Sequence, residues 1–163
     1  MEKTLYWIWL SRLQIDGVNL KKLFQNFIQI ENIWNAKEEE LQKIVLNKNY
    51  VKNILDAKYK QNLEKYLEYM VKNQIEVITF LDEKYPSKLK QIYDFPRVIF
   101  TKGDSSILKE EGYAIVGCRD SSFYGENVAK MLSYRLSKGN KVIISGLARG
   151  IDKYAHLGCL EAR

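Results

Sequence analysis

Tyr113-Ala114-Ile115-Val116-Gly117-Cys118-Arg119-Asp120-Ser121-Ser122-Phe123-Tyr124-Gly125 and Lys141-Val142-Ile143-Ile144-Ser145-Gly146-Leu147-Ala148-Arg149-Gly150-Ile151-Asp152 decide how the rest of this chain is read. Each stretch begins with an apolar run of strand type, passes through a loop of small residues carrying one arginine, and leads into a helical pattern. A strand, loop and helix in that order aim backbone N–H groups and the positive end of a helix at the space beyond the strand, where a phosphate is stabilised. Two such loops on neighbouring parallel strands would face one ligand. The pair therefore reads as a clamp on phosphates, with the upstream chain as support.

Between the loops, Val128, Met131, Leu132 and Leu136 form an apolar helical stripe, and Lys138-Gly139-Asn140 is a stop before the next strand. A β-α-β-α run with a short αβ connection implies a parallel pair with a right-handed crossover in a doubly wound sheet. Upstream, Glu76–Phe80 and Arg97–Lys102 are rich in β-branched and aromatic residues and read as strands, the second ended by Gly103-Asp104. A short helical or turn segment is expected from Tyr85-Pro86 through Leu89, and another helix over Ser105–Glu111.

Residues from about Leu5 to Lys72 read as all helix. Leu5, Ile8, Trp9 and Leu13 share a face, Asp16-Gly17 breaks it, and Leu20, Leu23, Phe24 and Phe27 resume it. Asn35 with Glu38 has capping-box spacing, and one amphipathic helix is expected over Asp56–Lys72. The turn between Leu13 and Phe27 has the outline of a helix-hairpin-helix, yet only Gly17 is present where a glycine, hydrophobic, glycine tract would offer its N–H groups to DNA. Packing is the favoured role. The expected organisation is thus a small all-helical domain of SAM or helix-hairpin-helix type over residues 1–73, and the N-terminal part of a Rossmann-like α/β domain over 74–163, its parallel sheet incomplete at the C-terminus.

With 163 residues, 46% hydrophobic and 28% charged, the chain can bury a real core. No apolar run is long enough to span a bilayer and the start lacks the features of a secretory leader, so a cytoplasmic location is expected. Cys118 and Cys159 form no C-x-x-C pair and His156 is the single histidine, which argues against a metal site and favours both cysteines as small buried hydrophobes. The net charge is +6, and residues 113–163 carry 8 Lys and Arg against 4 Asp and Glu, so most of the excess accompanies the loops.

Several chemistries are disfavoured by spacing. A dinucleotide fingerprint needs G-x-G-x-x-G, whereas Gly117 is followed by Cys118-Arg119-Asp120 and the next glycine is Gly125. The second strand ends in Ser145-Gly146 rather than in an acid for a ribose. No G-K-[ST] phosphate loop and no G-x-S-x-G elbow is present, and His156 has no nucleophile beside it. No cofactor is called for, and the chain is not read as an enzyme.

At Val116-Gly117-Cys118-Arg119, Ser122-Phe123-Tyr124-Gly125 and Ser145-Gly146-Leu147-Ala148-Arg149-Gly150-Ile151-Asp152, followed by Ala155-His156, Gly158 and Leu160, the sequence resembles the DNA-processing protein A family, also called DprA or Smf. The likeness continues upstream through Tyr85-Pro86, Leu89, Pro96 and Lys102-Gly103-Asp104. The resemblance implies a single-stranded DNA-binding protein that protects incoming DNA and loads the RecA recombinase during natural transformation. It also implies a homodimer in the full-length protein. Carried over by position, Arg119 and Arg149 would hold DNA phosphates, with Gly117, Cys118, Ser122, Gly125, Ser145, Gly146 and Gly150 shaping the pocket. Cys118 departs from the small hydroxyl residue or alanine usual in the family, and the chain ends where the family's Rossmann domain continues, so it is expected to be a fragment of marginal stability.

The residues support phosphate binding on their own chemistry. Arginine offers a planar fork and a permanent charge, against the plainer alternatives of an ion pair with Asp120 or Glu126 for Arg119 and with Asp152 for Arg149. Asp152 is expected to cap a helix and orient the loop, because an acid aimed at DNA repels it. His156 is read as a packed structural residue; Tyr124 could stack a base, and Phe123 could either stack or join the core. The competing class is a nucleotide-phosphate-binding hydrolase resembling the lysine-decarboxylase-like Rossmann group. Its P-G-G-x-G-T-x-x-E motif does not occur in these residues.

Overall fold

The computed structural model describes residues 2–162, in an order of seven helices, two strands, then strand, helix, strand, helix. The helices are α1 (Glu2–Arg12), α2 (Gly17–Asn26), α3 (Ile30–Asn35), α4 (Glu38–Ile44), α5 (Lys48–Leu55), α6 (Ala57–Lys60) and α7 (Leu63–Lys72). Strands β1 (Ile75–Thr79) and β2 (Val98–Lys102) follow, then β3 (Gly112–Ala114), α8 (Phe123–Lys138), β4 (Val142–Ile144) and α9 (Ile151–Glu161). Short 3-10 turns lie at Leu89–Gln91 and Ser105–Lys109. The architecture is mixed α/β, with two small sheets.

The chain divides into two compact units, residues 1–109 and 110–163. In the first, Trp7, Ile8, Trp9, Leu10 and Leu13 of α1 and its exit meet Leu20, Leu23, Ile30, Ile33, Leu41, Val45, Val51 and Ile54 in one buried cluster. Burial of a side chain of this size contributes about 1.5–3 kcal/mol, which explains why short helices of modest propensity hold. Edge-on contacts of Trp9 with Trp34, at 4.9 Å between ring centroids, and of Phe24 with Phe80, at 5.3 Å, tie distant segments into it.

Strands β1 and β2 pair antiparallel, from Ile75 opposite Lys102 to Thr79 opposite Val98. Val77, Phe80 and Val98 pack against the helical cluster. Hence the division expected near residue 73 falls inside the first compact unit, and these two strands form a separate ribbon rather than extending the parallel sheet. Their apolar faces find cover on the helices, and that burial outweighs the change of composition at Gln74.

Two local expectations also change. The helix read over Asp56–Lys72 is interrupted: Asn62 takes a left-handed conformation at φ 58°, which asparagine tolerates better than most residues, and α7 restarts after it. The cap expected from Asn35 and Glu38 sits elsewhere. Asn35 ends α3, and Glu40 reaches back to accept the Lys37 N–H at 2.8 Å.

In the second unit β3 and β4 pair in parallel, Gly112 opposite Val142 through Ala114 opposite Ile144, with α8 as the connection. The Ile115 N–H extends the ladder to the Ile144 carbonyl at 3.0 Å. Helix α8 stops as expected, through Asn140 at φ 56°: the Asn140 N–H reaches Ser137 and the Lys141 N–H reaches Leu136, both at 3.0 Å. Its packing face is only partly the predicted stripe, of which Val128 and Leu136 are half-buried. Ala129 and Ser133 are buried while Met131 and Leu132 are exposed, because α8 and α9 approach so closely at Gly158 that only small residues fit between them.

Candidate phosphate-binding site on two arginine loops

Both arginine loops lie in the second unit, beyond the C-terminal ends of paired parallel strands. The first loop enters α8 through Ser122, whose hydroxyl accepts the Gly125 N–H at 3.2 Å as an N-cap. Phe123 and Tyr124 open that helix and are exposed, so Phe123 does not join the core. The second loop passes through Leu147 at φ 55° and Gly150 at φ 79°, ψ −137° before α9 begins. A side chain at Gly150 would strike the Cys118 and Arg119 backbone, and the Ile151 N–H donates to the Cys118 carbonyl at 3.3 Å. Glycine is required there both by conformation and by the closeness of the first loop.

Asp152 joins the two loops. It is buried in the first turn of α9, where its carboxylate accepts the Gly146 N–H at 3.0 Å and the Gly117 N–H at 3.3 Å, one donor from each loop. The helix N-terminus favours this negative charge. Asp152 is not the cap expected: Gly150 is the N-cap of α9, with no side-chain cap bond, and the Asp152 carboxylate in the first turn instead accepts one N–H from each loop. Ile151 lies against both glycines of the first loop: a Cβ on Gly117 would sit 2.7 Å from its Cγ1, and one on Gly125 3.2 Å from its Cδ1.

These bonds reassign several expected phosphate donors. The N–H groups of Gly117 and Gly146 are engaged by Asp152, and the Ser145 hydroxyl donates to the Ile115 carbonyl at 2.7 Å. Gly117, Ser122, Gly125, Ser145, Gly146 and Gly150 thus shape the loops from within. The side chains of Arg119, Arg149, Cys118 and Tyr124 are exposed and make none of these loop-fixing bonds, which suits them to a different role. Cys118 is accordingly not the buried hydrophobe expected, because it stands on the outward loop, while Cys159 is half-buried in α9.

The guanidinium of Arg149 lies 3.9 Å from Asp120, with 75% and 93% of the two side chains exposed, and no ion pair to Arg119 is present among the described residues. A pair so open and so long is worth little and leaves Arg149 available. Sequence reasoning missed the contact between Tyr154 on α9 and Glu126 on α8: the hydrogen bond to Glu126, then its charge, hold the Tyr154 phenol above its ordinary pKa. Glu126 also accepts from the Ser121 hydroxyl at 2.9 Å. The acid and tyrosine lie 28 residues apart in the sequence, and helical phase alone does not pair them. Nε2 of His156 is buried with no hydrogen-bond partner among the described residues.

Other candidate chemistry is thin. The turn before α2 does not present free N–H groups: Gly17 donates to Asp94, and Asn19 to Asp16 at 2.9 Å. Among the described residues no group of three or more His, Cys, Asp or Glu is placed to hold a metal ion, and no helix is long and apolar enough to cross a membrane.

Residues 76–163 match the family described as DNA recombination-mediator protein A, which takes in both loops and α9. The chain is 31% identical over 161 residues to Protein Smf of Synechocystis, covering 94% of this chain and 40% of that protein. It is 40% identical over 90 residues to DNA processing protein DprA of Bacillus subtilis, covering 55% of this chain and 30% of that one. The crystal structure of DNA processing protein A from Streptococcus pneumoniae superposes with a TM-score of 0.68 at 27% identity, over 99% of this chain and 54% of the other. The chain spans less than half the length of the curated relatives it matches. With more than half of its residues matched by the family, and with the matched segment carrying the two joined loops, the chain belongs to the DNA recombination-mediator protein A (DprA/Smf) family.

Proposed function

We propose that the two-loop site holds the phosphates of single-stranded DNA without reading its sequence, as part of a DNA recombination mediator acting in transformation. The observation that carries this is the pair of outward arginines, Arg119 and Arg149, on loops locked together by one buried carboxylate beyond the ends of paired strands. Arginine binds phosphate through directed, charge-assisted bonds, and the exposed Tyr124 and Phe123 at the entry to α8 offer rings for stacking bases. Neither interaction distinguishes one base from another. The β3–α8–β4–α9 arrangement is read as the start of a Rossmann-like domain, and residues 1–73 as a helical accessory. Loading of RecA and homodimer formation belong to the same reading of the full-length protein, with no catalytic step assigned to these residues.

The test is the salt dependence of binding to oligothymidylate and to a mixed-sequence strand. Arg119→Ala and Arg149→Ala should each weaken both by a similar factor and flatten the log–log salt slope by roughly 0.7 for every phosphate that the variant no longer neutralises. Lysine at either position should restore binding only in part, because it lacks the fork. Lys138→Ala is the control, since Lys138 ends α8 away from the strand ends. A folded Arg119 or Arg149 variant with unchanged affinity and slope would overturn the reading and favour a small phosphorylated ligand.

A further inference from the structure

An anion approaching these loops meets one already in place. Where strand, loop and helix bind a nucleotide, the glycine N–H groups past the strand and the N-terminus of the helix receive the phosphates. Here the corresponding donors, Gly117 N–H from the first loop and Gly146 N–H from the second, both end on the Asp152 carboxylate, 6% exposed in the first turn of α9. A Cβ on Gly146 would lie 2.7 Å from Asp152 Oδ2, so the carboxylate fills the space against that backbone as well.

We infer that Asp152 is a specificity-determining residue: an internal anion that closes two of the loops' backbone donors, the Gly117 and Gly146 N–H groups, to pyrophosphate and free nucleotides and leaves anion binding there to the outward arginines. Its negative charge opposes a compact polyanion at the loops, and removal of two donors takes away the directed bonds such a ligand needs. Exposed arginines act differently. Each interaction at the surface is weak and screened by salt, so useful affinity requires several at once, which a chain of singly charged phosphodiesters supplies and a lone pyrophosphate does not. The polymer half of this statement rests on the single-strand reading above, while the exclusion half does not.

The experiment titrates pyrophosphate into residues 1–163, with the amide resonances of Gly117 and Gly146 as reporters, and separately measures competition with oligothymidylate. The unsubstituted chain should show no saturable shift at either glycine below about 1 mM pyrophosphate. Asp152→Asn keeps the shape and one acceptor oxygen but loses the charge and frees one donor. It should bind pyrophosphate at least about tenfold more tightly, with the shift on the freed glycine. A purely structural Asp152 would instead give loosened loops and weaker binding of every anion. Submillimolar pyrophosphate binding at Gly117 and Gly146 in the unsubstituted chain overturns the inference, and so does a folded Asp152→Asn chain that gains nothing. Should that variant fail to fold, the titration of the unsubstituted chain decides alone. A chain that ignores both pyrophosphate and oligothymidylate supports the exclusion and defeats only the single-strand reading.

Discussion

The two compact units bury opposite kinds of residue. The first encloses Trp7, Ile8, Trp9, Leu13, Leu23, Ile33, Leu41 and Ile54, whereas the buried positions of the second are Ala129, Ser133, Gly150, Asp152, Ala155 and Gly158. One is held by filled volume, the other by backbones brought close and by hydrogen bonds such as that from the Ser133 hydroxyl to the Ala155 carbonyl. The lesson is that their cores differ in what they tolerate least: the first the removal of atoms, the second, at its helix contact, their addition. A large core gives stability with little demand on exact backbone position, whereas the anion contact proposed for the loops would require it.

Removal should have the largest effect. Trp9→Ala opens a cavity beside Trp34 in the fully buried centre of the first unit and should cost about 3–5 kcal/mol, read as a lowered denaturation midpoint in urea. A loss below about 1 kcal/mol would show that the first unit is not held by volume.

Addition comes next. Gly158→Ala places a methyl group against the Lys130 carbonyl of α8 and should cost about 1–3 kcal/mol while loosening the loops that α9 supports. The first unit has one comparably closed glycine, Gly17, where a Cβ would strike Asp94, and an open one, Gly103, which gives the contrast. Gly103→Ala meets nothing within 4 Å, so its penalty should come only from φ at 100°. Equal cavity and steric sensitivities in both units would break the comparison.

How far the sequence showed this difference depends on distance along the chain. The loops and the stop at Asn140 were legible because each is a local pattern of small and polar residues whose chemistry acts within a few positions, whereas Ser122, read as a pocket residue, proves to cap α8. Asp152 could be read only as a local cap, since its partner Gly117 lies 35 residues away and nothing in the spacing marks the bond. Periodicity selected Val128, Met131, Leu132 and Leu136 as the packing face of α8, because an apolar stripe is the usual sign of burial; Val128 and Leu136 are half-buried, but Met131 and Leu132 are exposed. The close approach at Gly158 instead favoured Ala129 and Ser133. Likewise, two strand-like segments 18 residues apart do not reveal whether they join the later parallel pair, and only packing of Val77, Phe80 and Val98 on the helices decides it.

A smaller effect should appear with pH, and again in the first unit. At Asp16 burial, the largest influence, pushes the pKa up, but hydrogen bonds from the Asn19 backbone and side chain and from Tyr50 together outweigh it and leave the carboxyl below its ordinary value. A depressed carboxylate stabilises the fold above its unfolded pKa of about 3.9, and that contribution is lost as pH falls through the lower folded value. Acid unfolding should thus shift to higher pH in Asp16→Asn, which keeps a capping oxygen but has no proton to resist. An unchanged acid transition would mean that this cap does not couple folding to pH.

The smallest expected change in stability concerns Asp120, and it separates binding from folding in the second unit. Asp120 is 93% exposed and 3.9 Å from the Arg149 guanidinium, a distance and exposure at which an ion pair contributes at most a few tenths of a kcal/mol. Asp120→Ala should therefore leave the unfolding midpoint unmoved within about 0.5 kcal/mol. Under the proposed function, binding should respond with the opposite sign to that of the arginine variants, because the substitution removes a negative charge beside the proposed phosphate contacts and frees Arg149 from a competing acceptor. A gain of roughly two- to fivefold for oligothymidylate at low salt, shrinking as salt rises, is expected from one exposed charge. Asp120→Asn separates the two causes, since it removes the charge while keeping an acceptor near Arg149. If Asp120→Ala weakens binding instead, Asp120 must be holding Arg149 in its working position. The loops would then depend on an outer ion pair as well as on the buried Asp152, and closeness of backbones would no longer suffice to explain how the second unit fixes its arginines.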